Sequence, residues 1–217
     1  MRKILFLTVI LLSGVVVSAK NSAPYSGLYS TASKWSVDIA GGLNLFDGDI
    51  PQSDNNVLPS ANLGAAFGIG INYQFTPVYG LYVDYNYFSV LAQTKIWDIK
   101  TRVNMGAINA SVNFLNLVSP NRESKFNFYG SIGLGLAKYF YHVSPVDPTV
   151  PLDYGVAVTV PISLFCTYDV SDHLSLGGKM SFVSFNTDNV EGVNYLNYKG
   201  VCNDRLESGT VFLRYNF

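Results

Sequence analysis

The chain has 217 residues, of which 13% are charged and 14% are aromatic, and its formal net charge is -1. Globular proteins carry about 25% charged residues, so this composition favours a protein that contacts lipid. No basic run follows the first three residues, and the near-neutral charge gives no electrostatic reason to expect a nucleic-acid-binding surface. We therefore expect no nucleic-acid partner.

Residues 1–19 predict a cleaved signal peptide. Arg2 and Lys3 precede an apolar run that ends at Val17, and small residues follow, as a signal peptidase requires. A membrane helix is the alternative, but the run is interrupted by polar residues and is short for a span. Residues 20–33 predict a disordered leader.

From residue 34 onward, apolar and polar residues alternate with a period of two, which is the period of a β-strand. In ANLGAAFGIGINYQF (61–75) one face is apolar throughout and the other is small or polar. A strand of this length is too long for a sandwich. Glycine and asparagine cannot fill a core, so the apolar face points to lipid and the small face lines a lumen. The segments with this pattern are 35–45, 61–75, 80–90, 100–114, 126–141, 156–168, 174–182 and 210–217.

Segment 100–114 has an ambiguous register. In its second half, the apolar Ile108 and Val112 predict that even-numbered residues face outward. In its first half, the apolar Val103 and Met105 predict that odd-numbered residues do. One extra residue reverses which face each side chain occupies. A bulge near Gly106 would reconcile the two halves.

The eight segments predict an all-β fold, an up-and-down antiparallel transmembrane barrel of eight strands over residues 34–217. An even strand number is the rule for single-chain bacterial outer-membrane barrels, which have short periplasmic turns and longer external loops. We therefore expect the bacterial outer membrane, with the longer connections outside. The shorter set is 76–79, 116–124 and 170–172, and the longer set is 47–60, 91–99, 142–154 and 187–204.

Four charged residues fall on the predicted lumen face, namely Asp38, Asp84, Lys179 and Arg214. Their positions along the strands allow them to share one layer, and closure of the barrel brings the first and last strands together. Eight strands enclose a space that side chains can fill. We expect a buried ion-pair network that plugs the lumen; the alternative is a narrow gated pore for ions.

Catalytic and metal-binding alternatives are weak. His142 and Ser144 loosely resemble the His-x-Ser of outer-membrane lipid A deacylases, with Asp147 or Asp153 as an orienting acid, but the flanking residues of that family are missing. The DGD at 47–49 lacks further calcium ligands at fixed spacing, and no Cys/His spacing suggests zinc. We expect no catalytic residue, no metal and no cofactor.

Residues 113–139, NFLNLVSPNRESKFNFYGSIGLGLAKY, resemble the small OmpA/OmpX-type outer-membrane barrels common in Bacteroidetes. Similar proteins have an NLxNL-like end of strand four, then a turn, then YGSIGLG at the start of strand five. The resemblance covers residues 34–217. Many such proteins add a peptidoglycan-binding domain after the barrel, and because this chain stops at Phe217 we do not expect that role.

The resemblance implies a non-enzymatic, monomeric barrel with a structural or surface-interaction role through its external loops, which would contact a host or surface ligand. A narrow pore or a carrier of small apolar ligands is the alternative, and a lipid A-modifying enzyme is a more distant one. The final TVFLRYNF is similar to the C-terminal signal that the barrel-assembly machinery recognises. This implies partners in that machinery, in periplasmic chaperones and in the outer-membrane bilayer. The outward stripe of this signal is Val211, Leu213, Tyr215 and Phe217.

Overall fold

The computed structural model describes residues 35–47, 63–93, 98–119, 124–144, 153–187, 190 and 204–217. The predicted signal peptide (1–19) and leader (20–33) lie outside the described residues. Within the described part of the chain, no helix has the length and hydrophobicity needed to cross a membrane. The elements are β1 (Trp35–Asp47), β2 (Leu63–Gln74), β3 (Tyr79–Gln93), β4 (Asp98–Asn113), α1 (Phe114–Val118), β5 (Phe126–Ser144), β6 (Asp153–Asp169), β7 (Leu174–Phe185) and β8 (Arg205–Asn216).

The eight strands form a closed antiparallel barrel in which each strand pairs with its neighbours in sequence and β8 pairs with β1. The predicted eight-stranded meander is therefore confirmed. When the pairing register is followed once around the barrel from Trp35, it returns to β1 at Leu45, ten residues further along. Such a stagger requires the strands to tilt by about 35–45° from the barrel axis. Closure leaves no strand edge unpaired.

The two ends of the barrel differ in their connections. We call the end with the β2–β3, β4–β5 and β6–β7 connections the turn end, and the opposite end the loop end. At the loop end, β3 continues to Gln93 and β4 begins at Asp98, so both strands are longer there than the sequence predicts. The connection between them is four residues, 94–97, because ladder pairing continues across most of the expected loop 91–99.

The bulge expected near Gly106 is wrong. Pairing of β4 with β3 and with β5 continues without a register shift, with Gly106 opposite Tyr85 on one side and Leu136 on the other. Val103 and Met105 therefore point into the barrel, where they are 0% and 2% exposed. The conflicting pattern arises because this part of the lumen is itself apolar.

The outer wall is apolar around the circumference. Ile39, Phe67, Ile108, Leu134 and Val211 lie on five different strands, and each is more than half exposed. Such a surface is an aggregation hazard in water, but it is the surface that lipid tails solvate in a transmembrane barrel. At the turn end, aromatic side chains lie in contact with one another. The ring centroids of Trp35 and Tyr73 are 4.6 Å apart, and those of Tyr215 and Phe217 are 5.2 Å apart.

Candidate functional site

Asp38 and Arg214 form an ion pair inside the barrel, at the junction where β1 and β8 close it. The two residues are directly opposite each other in the β1–β8 register. Arg214 Nε donates to Asp38 Oδ1 at 2.7 Å, and Nη2 donates to Oδ2 at 2.8 Å. Asp38 is 2% exposed and Arg214 is 4% exposed. The pair therefore has the two-bond geometry in which a guanidinium best offsets the desolvation of a carboxylate.

Lys179 and Asp84 form a second, separate ion pair in the lumen. Lys179 Nζ lies 3.3 Å from Asp84 Oδ2, and the Asn109 amide donates to Asp84 Oδ1 at 3.1 Å. Lys179 Nζ also lies 5.1 Å from the centroid of the Tyr82 ring. The four predicted charges are thus all buried in the lumen, arranged as two pairs rather than one continuous cluster.

Aromatic rings surround the Arg214 guanidinium. Its Cζ lies 5.4 Å from the Phe212 centroid, 5.8 Å from that of Phe165 and 6.0 Å from that of Tyr129. Tyr129 and Phe165 are stacked with centroids 4.7 Å apart and an angle of 9° between planes. Cation–π contacts of this kind are strongest when the cation is desolvated, as it is here. The inward parity of these three residues was visible in the sequence, but their convergence on Arg214 was not.

Glycines on the inner wall make room for these rings. A Cβ at Gly70 on β2 would collide with the Tyr82 ring on β3, and a Cβ at Gly177 on β7 would collide with the Phe212 ring on β8. Small residues therefore do not leave the lumen empty. They allow large side chains from the adjacent strand to lie flat across the wall.

Between the two ion pairs, little space is left. The cavity there has a volume of about 10 Å³, which is about the room that one water molecule requires. Its lining residues are Asp38, Ala40, Tyr82, Phe165, Lys179, Phe212 and Arg214.

At the turn end, polar side chains link neighbouring strands around the inner wall. The Asn113 amide donates to Asn127 at 3.0 Å, and the Asn127 amide donates to Asp169 at 3.4 Å. Ser175 Oγ donates to Asp169 at 2.6 Å, and the Asn216 amide donates to Ser175 at 3.0 Å. These hydrogen bonds form a continuous series from β4 to β8, and they supply partners to polar groups whose burial without partners would be costly.

The two asparagines of the NFLNL segment (113–117) also form hydrogen bonds at the turn end. Asn113 Oδ1 accepts from the backbone N–H groups of Leu115 and Asn116 at 3.1 and 3.2 Å, and so caps α1. The Asn116 amide donates to the Pro77 carbonyl at 2.9 Å, and the Asn113 N–H donates to the Val78 carbonyl at 2.7 Å. The two asparagines therefore tie the β4–β5 connection to the β2–β3 turn.

At the loop end the lumen is filled by an apolar cluster. Val190, from the β7–β8 connection, is 0% exposed; its carbonyl accepts from Thr101 Oγ1 at 3.3 Å, and its N–H donates to Asp204 Oδ2 at 2.9 Å. The cluster also contains Phe46, Ala66, Phe88, Val90, Val103, Met105, Ala107, Ala137, Tyr139, Ala157, Val183, Phe185 and Leu206. Sequence reasoning missed this cluster, although the inward positions of β3, β4, β7 and β8 all become apolar towards the same end.

The C-terminal stripe lies on the outer wall of β8. Val211 is 72% exposed, Leu213 37%, Tyr215 49% and Phe217 63%, and the Phe217 N–H donates to the Trp35 carbonyl at 3.1 Å.

The catalytic alternative falls on side chains outside the described residues. His142, Ser144 and Asp153 lie on strands, but their side chains are outside the described residues, as is Asp147. The calcium alternative at 47–49 also falls on side chains outside them. Among the side chains that are described, no group of three or more His, Cys, Asp or Glu residues could hold a metal ion.

No protein-family model matches the chain, and no curated protein sequence matches it. Solved structures do match. Neisserial surface protein A has a TM-score of 0.61 and 14% identity, over 87% of this chain and 100% of that one. Ail, the attachment invasion locus protein of Yersinia pestis in complex with the heparin analogue sucrose octasulfate, has a TM-score of 0.53 and 8% identity, over 86% and 100%. A major outer membrane protein from Thermus thermophilus has a TM-score of 0.53 and 7% identity, over 84% and 99%.

At these identities the likeness concerns the fold. What the chain shares with these outer-membrane proteins is its fold, a closed antiparallel barrel, which in this chain has eight strands. An apolar wall exposed around such a barrel requires a bilayer. The chain is therefore a β-barrel of the bacterial outer membrane.

Proposed function

We propose that the chain is a non-enzymatic outer-membrane barrel with a structural or surface-interaction role, in which the loop end faces outward and the lumen is plugged. The observation that carries this proposal is the filling of the lumen. Two buried ion pairs and an aromatic layer occupy its middle, with a hydrogen-bonded layer on the turn-end side and an apolar cluster on the loop-end side.

The alternatives are less well supported. A narrow ion pore needs a hydrated path, whereas the cavity between the ion pairs holds about one water molecule. A carrier of apolar ligands needs an open apolar pocket, whereas the loop-end cluster is packed with its own side chains, among them Phe88 and Leu206. A plugged barrel leaves its outer wall and its external loops as the surfaces available for interaction.

A surface role is compatible with the fold. The structure of Ail holds a heparin analogue, so a barrel of this architecture can bind a ligand while remaining a membrane protein. We infer a monomer for this chain, because each of its eight strands already has two partners and none offers a free edge for a second copy.

Planar-bilayer recording tests the plug. The purified protein should give no steady conductance, because ion passage requires breaking the Asp38–Arg214 pair and displacing the rings around it. A matched variant that opens this layer, Phe165→Ala with Phe212→Ala, should conduct in the same bilayers and show that insertion is detected. A steady open state of the unaltered protein would contradict the plugged-barrel proposal.

Labelling of intact cells tests the orientation. In a background with Cys166→Ser and Cys202→Ser, a membrane-impermeant maleimide should label N55C, between β1 and β2, and should not label S171C, between β6 and β7. The reverse pattern would contradict the proposed orientation without bearing on the plug.

We also infer that the stripe of Val211, Leu213, Tyr215 and Phe217 is an assembly signal for the barrel-assembly machinery, reached with the help of periplasmic chaperones. Phe217 contributes an exposed ring and a backbone bond to Trp35. Phe217→Ala should therefore slow membrane assembly in cells several-fold while leaving the free energy of unfolding of the folded protein within about 1 kcal/mol. Trp35→Ala, at the same rim, is the matched control, and an equal assembly defect in both would contradict a specific signal.

A further inference from the structure

Three cationic side chains, Lys100, Arg102 and Lys138, project from the outer wall near the loop end. We call them the basic patch. All three are exposed, and they lie on the adjacent strands β4 and β5. Their position on the lipid-facing side is unusual, because a charge in contact with lipid tails is unfavourable except near the interface.

The pairing register brings the three cations together. Arg102 is opposite Phe140, and Lys138, two residues earlier on the same face of β5, is opposite Asn104. Arg102 and Lys138 are thus diagonal neighbours, which in antiparallel sheets lie about 7–8 Å apart, with somewhat closer Cβ atoms. Lys100 is the next outward residue of β4. One anionic group can therefore lie within reach of more than one of these side chains.

Neighbouring side chains hold part of the patch in place. Lys138 Nζ lies 5.0 Å from the Phe140 centroid and 5.0 Å from the Tyr154 centroid, so that two rings flank the ammonium group. The Tyr85 hydroxyl donates to Asn104 Oδ1 at 2.8 Å. This bond orients the Asn104 amide, whose NH₂ group is its hydrogen-bond donor towards an anion.

The rest of the described outer wall is different. Besides the basic patch, the only charged side chains that the structure describes facing outward on the strands are Arg205 and Glu207 on β8, which carry opposite signs. The basic patch carries three charges of one sign. It is therefore a local electropositive site on the described outer wall, most of which is apolar.

The height of the patch matches the headgroup region of a bilayer. Tilted strands rise by about 2.5 Å per residue along the barrel axis. Lys138 follows Phe126, at the turn end of β5, by twelve residues, or about 30 Å of height. The apolar band of such barrels is about 25 Å tall, so the cations lie at its upper edge.

We propose that the basic patch binds the phosphate groups of a phosphorylated glycolipid in the leaflet that surrounds the loop end. Arg102 supplies the planar fork that matches two phosphate oxygens, and Lys138 and Lys100 supply point charges. The exposed rings of Phe140 and Tyr154 contact the sugar and the upper acyl chains. This assignment of the leaflet rests on the proposed orientation of the barrel.

Native mass spectrometry of the full-length mature protein in a neutral detergent tests the site. The probes are lipid A with two phosphates, the same lipid after removal of its phosphates, phosphatidylglycerol and inorganic phosphate. Lipid A should bind at least tenfold more tightly than each of the others. Each of R102Q and K138Q should weaken its binding about fivefold, and the triple variant with K100Q about a hundredfold.

Two controls make the test specific. R205Q removes one outward cation from the opposite wall and should change lipid A binding less than twofold. K138R keeps the charge at position 138 and should also change the binding less than twofold. Heat-modifiable migration on gels verifies that each variant is folded. If the triple variant does not fold, the two single variants still test the site.

Several results would overturn the site. Wild-type affinity in the triple variant, an R205Q effect as large as that of K138Q, or equal binding of lipid A and its phosphate-free form would each contradict phosphate recognition by the basic patch. Equal binding of phosphatidylglycerol or of inorganic phosphate would contradict the glycolipid assignment. Because binding in detergent requires neither a plugged lumen nor a fixed orientation, these outcomes are independent of the conductance and labelling experiments.

Discussion

The two halves of the barrel lumen are built from different chemistry on the same eight strands. Towards the turn end the inner wall carries the two ion pairs and a chain of asparagine, serine and aspartate hydrogen bonds. Towards the loop end it carries an apolar cluster closed by Val190. The outer wall carries exposed apolar side chains in both halves, and its described charged side chains lie towards the loop end.

This difference shows how one narrow barrel uses two kinds of core. The polar half depends on pairing, because a charge buried without its partner is strongly unfavourable. The apolar half depends on packing, because a void inside it forfeits contacts that water does not replace. Side-chain hydrogen bonds and ion pairs link the strands across the lumen in the polar half, whereas packing of apolar side chains fills most of the lumen in the other half.

The largest effect should come from breaking the pair at the closing strands. Asp38→Ala leaves the Arg214 guanidinium buried without its carboxylate and should lower the free energy of unfolding by about 3–5 kcal/mol. Urea unfolding in phospholipid vesicles measures it. Replacing both residues, Asp38→Leu with Arg214→Met, should restore most of the loss. Unchanged stability of Asp38→Ala would show that the pair does not hold the polar half together.

The apolar half should respond to a cavity. Leu206 is 0% exposed in the loop-end cluster, so Leu206→Ala should cost about 2–5 kcal/mol in the same unfolding assay. Leu213→Ala, on the same strand but facing outward, is the matched control and should cost less, because lipid fills the space. Equal losses at the two positions would mean that the cluster is not a packed core.

The second ion pair should matter less than the first. Lys179→Met removes one partner of Asp84, which keeps its hydrogen bond from Asn109, and should cost about 1–3 kcal/mol. Adding Asp84→Asn should recover part of this loss by removing the uncompensated charge. A loss as large as that of Asp38→Ala would contradict the ranking of the two pairs.

The smallest effect is an expected gain. Thr159 is 0% exposed, and its hydroxyl has no hydrogen-bond partner in the described structure. Thr159→Val should stabilise the protein by about 1 kcal/mol, and Val103→Thr, which introduces a hydroxyl into the apolar cluster, should destabilise it by about 1–3 kcal/mol. Chemical denaturation of the two variants side by side gives the sign of each change, and a loss in Thr159→Val would reveal an ordered water at that hydroxyl.

Much of the polar half could be predicted from the residues. The alternation around Asp38 and Arg214 placed both on the lumen face, and closure of the barrel placed their strands side by side. The apolar half could not be predicted in this way. In the loop-end half of β4 the period of two persists with its chemistry reversed, because the inward residues Val103 and Met105 are apolar whereas Lys100 and Arg102 face outward. This reversal suggested a bulge that the structure does not contain.

The sequence by itself determined the eight strands, their order and the face that most side chains occupy, because these depend on local alternation and on turns between neighbours. Only the tertiary structure decided how the lumen is filled. The stagger of the strands sets which ring lies over which glycine, and so brings Tyr129, Phe165 and Phe212 around Arg214. It also brings Val190 into the loop-end cluster and Lys138 beside Arg102. These contacts join residues far apart in the chain, and local patterns carry no information about them.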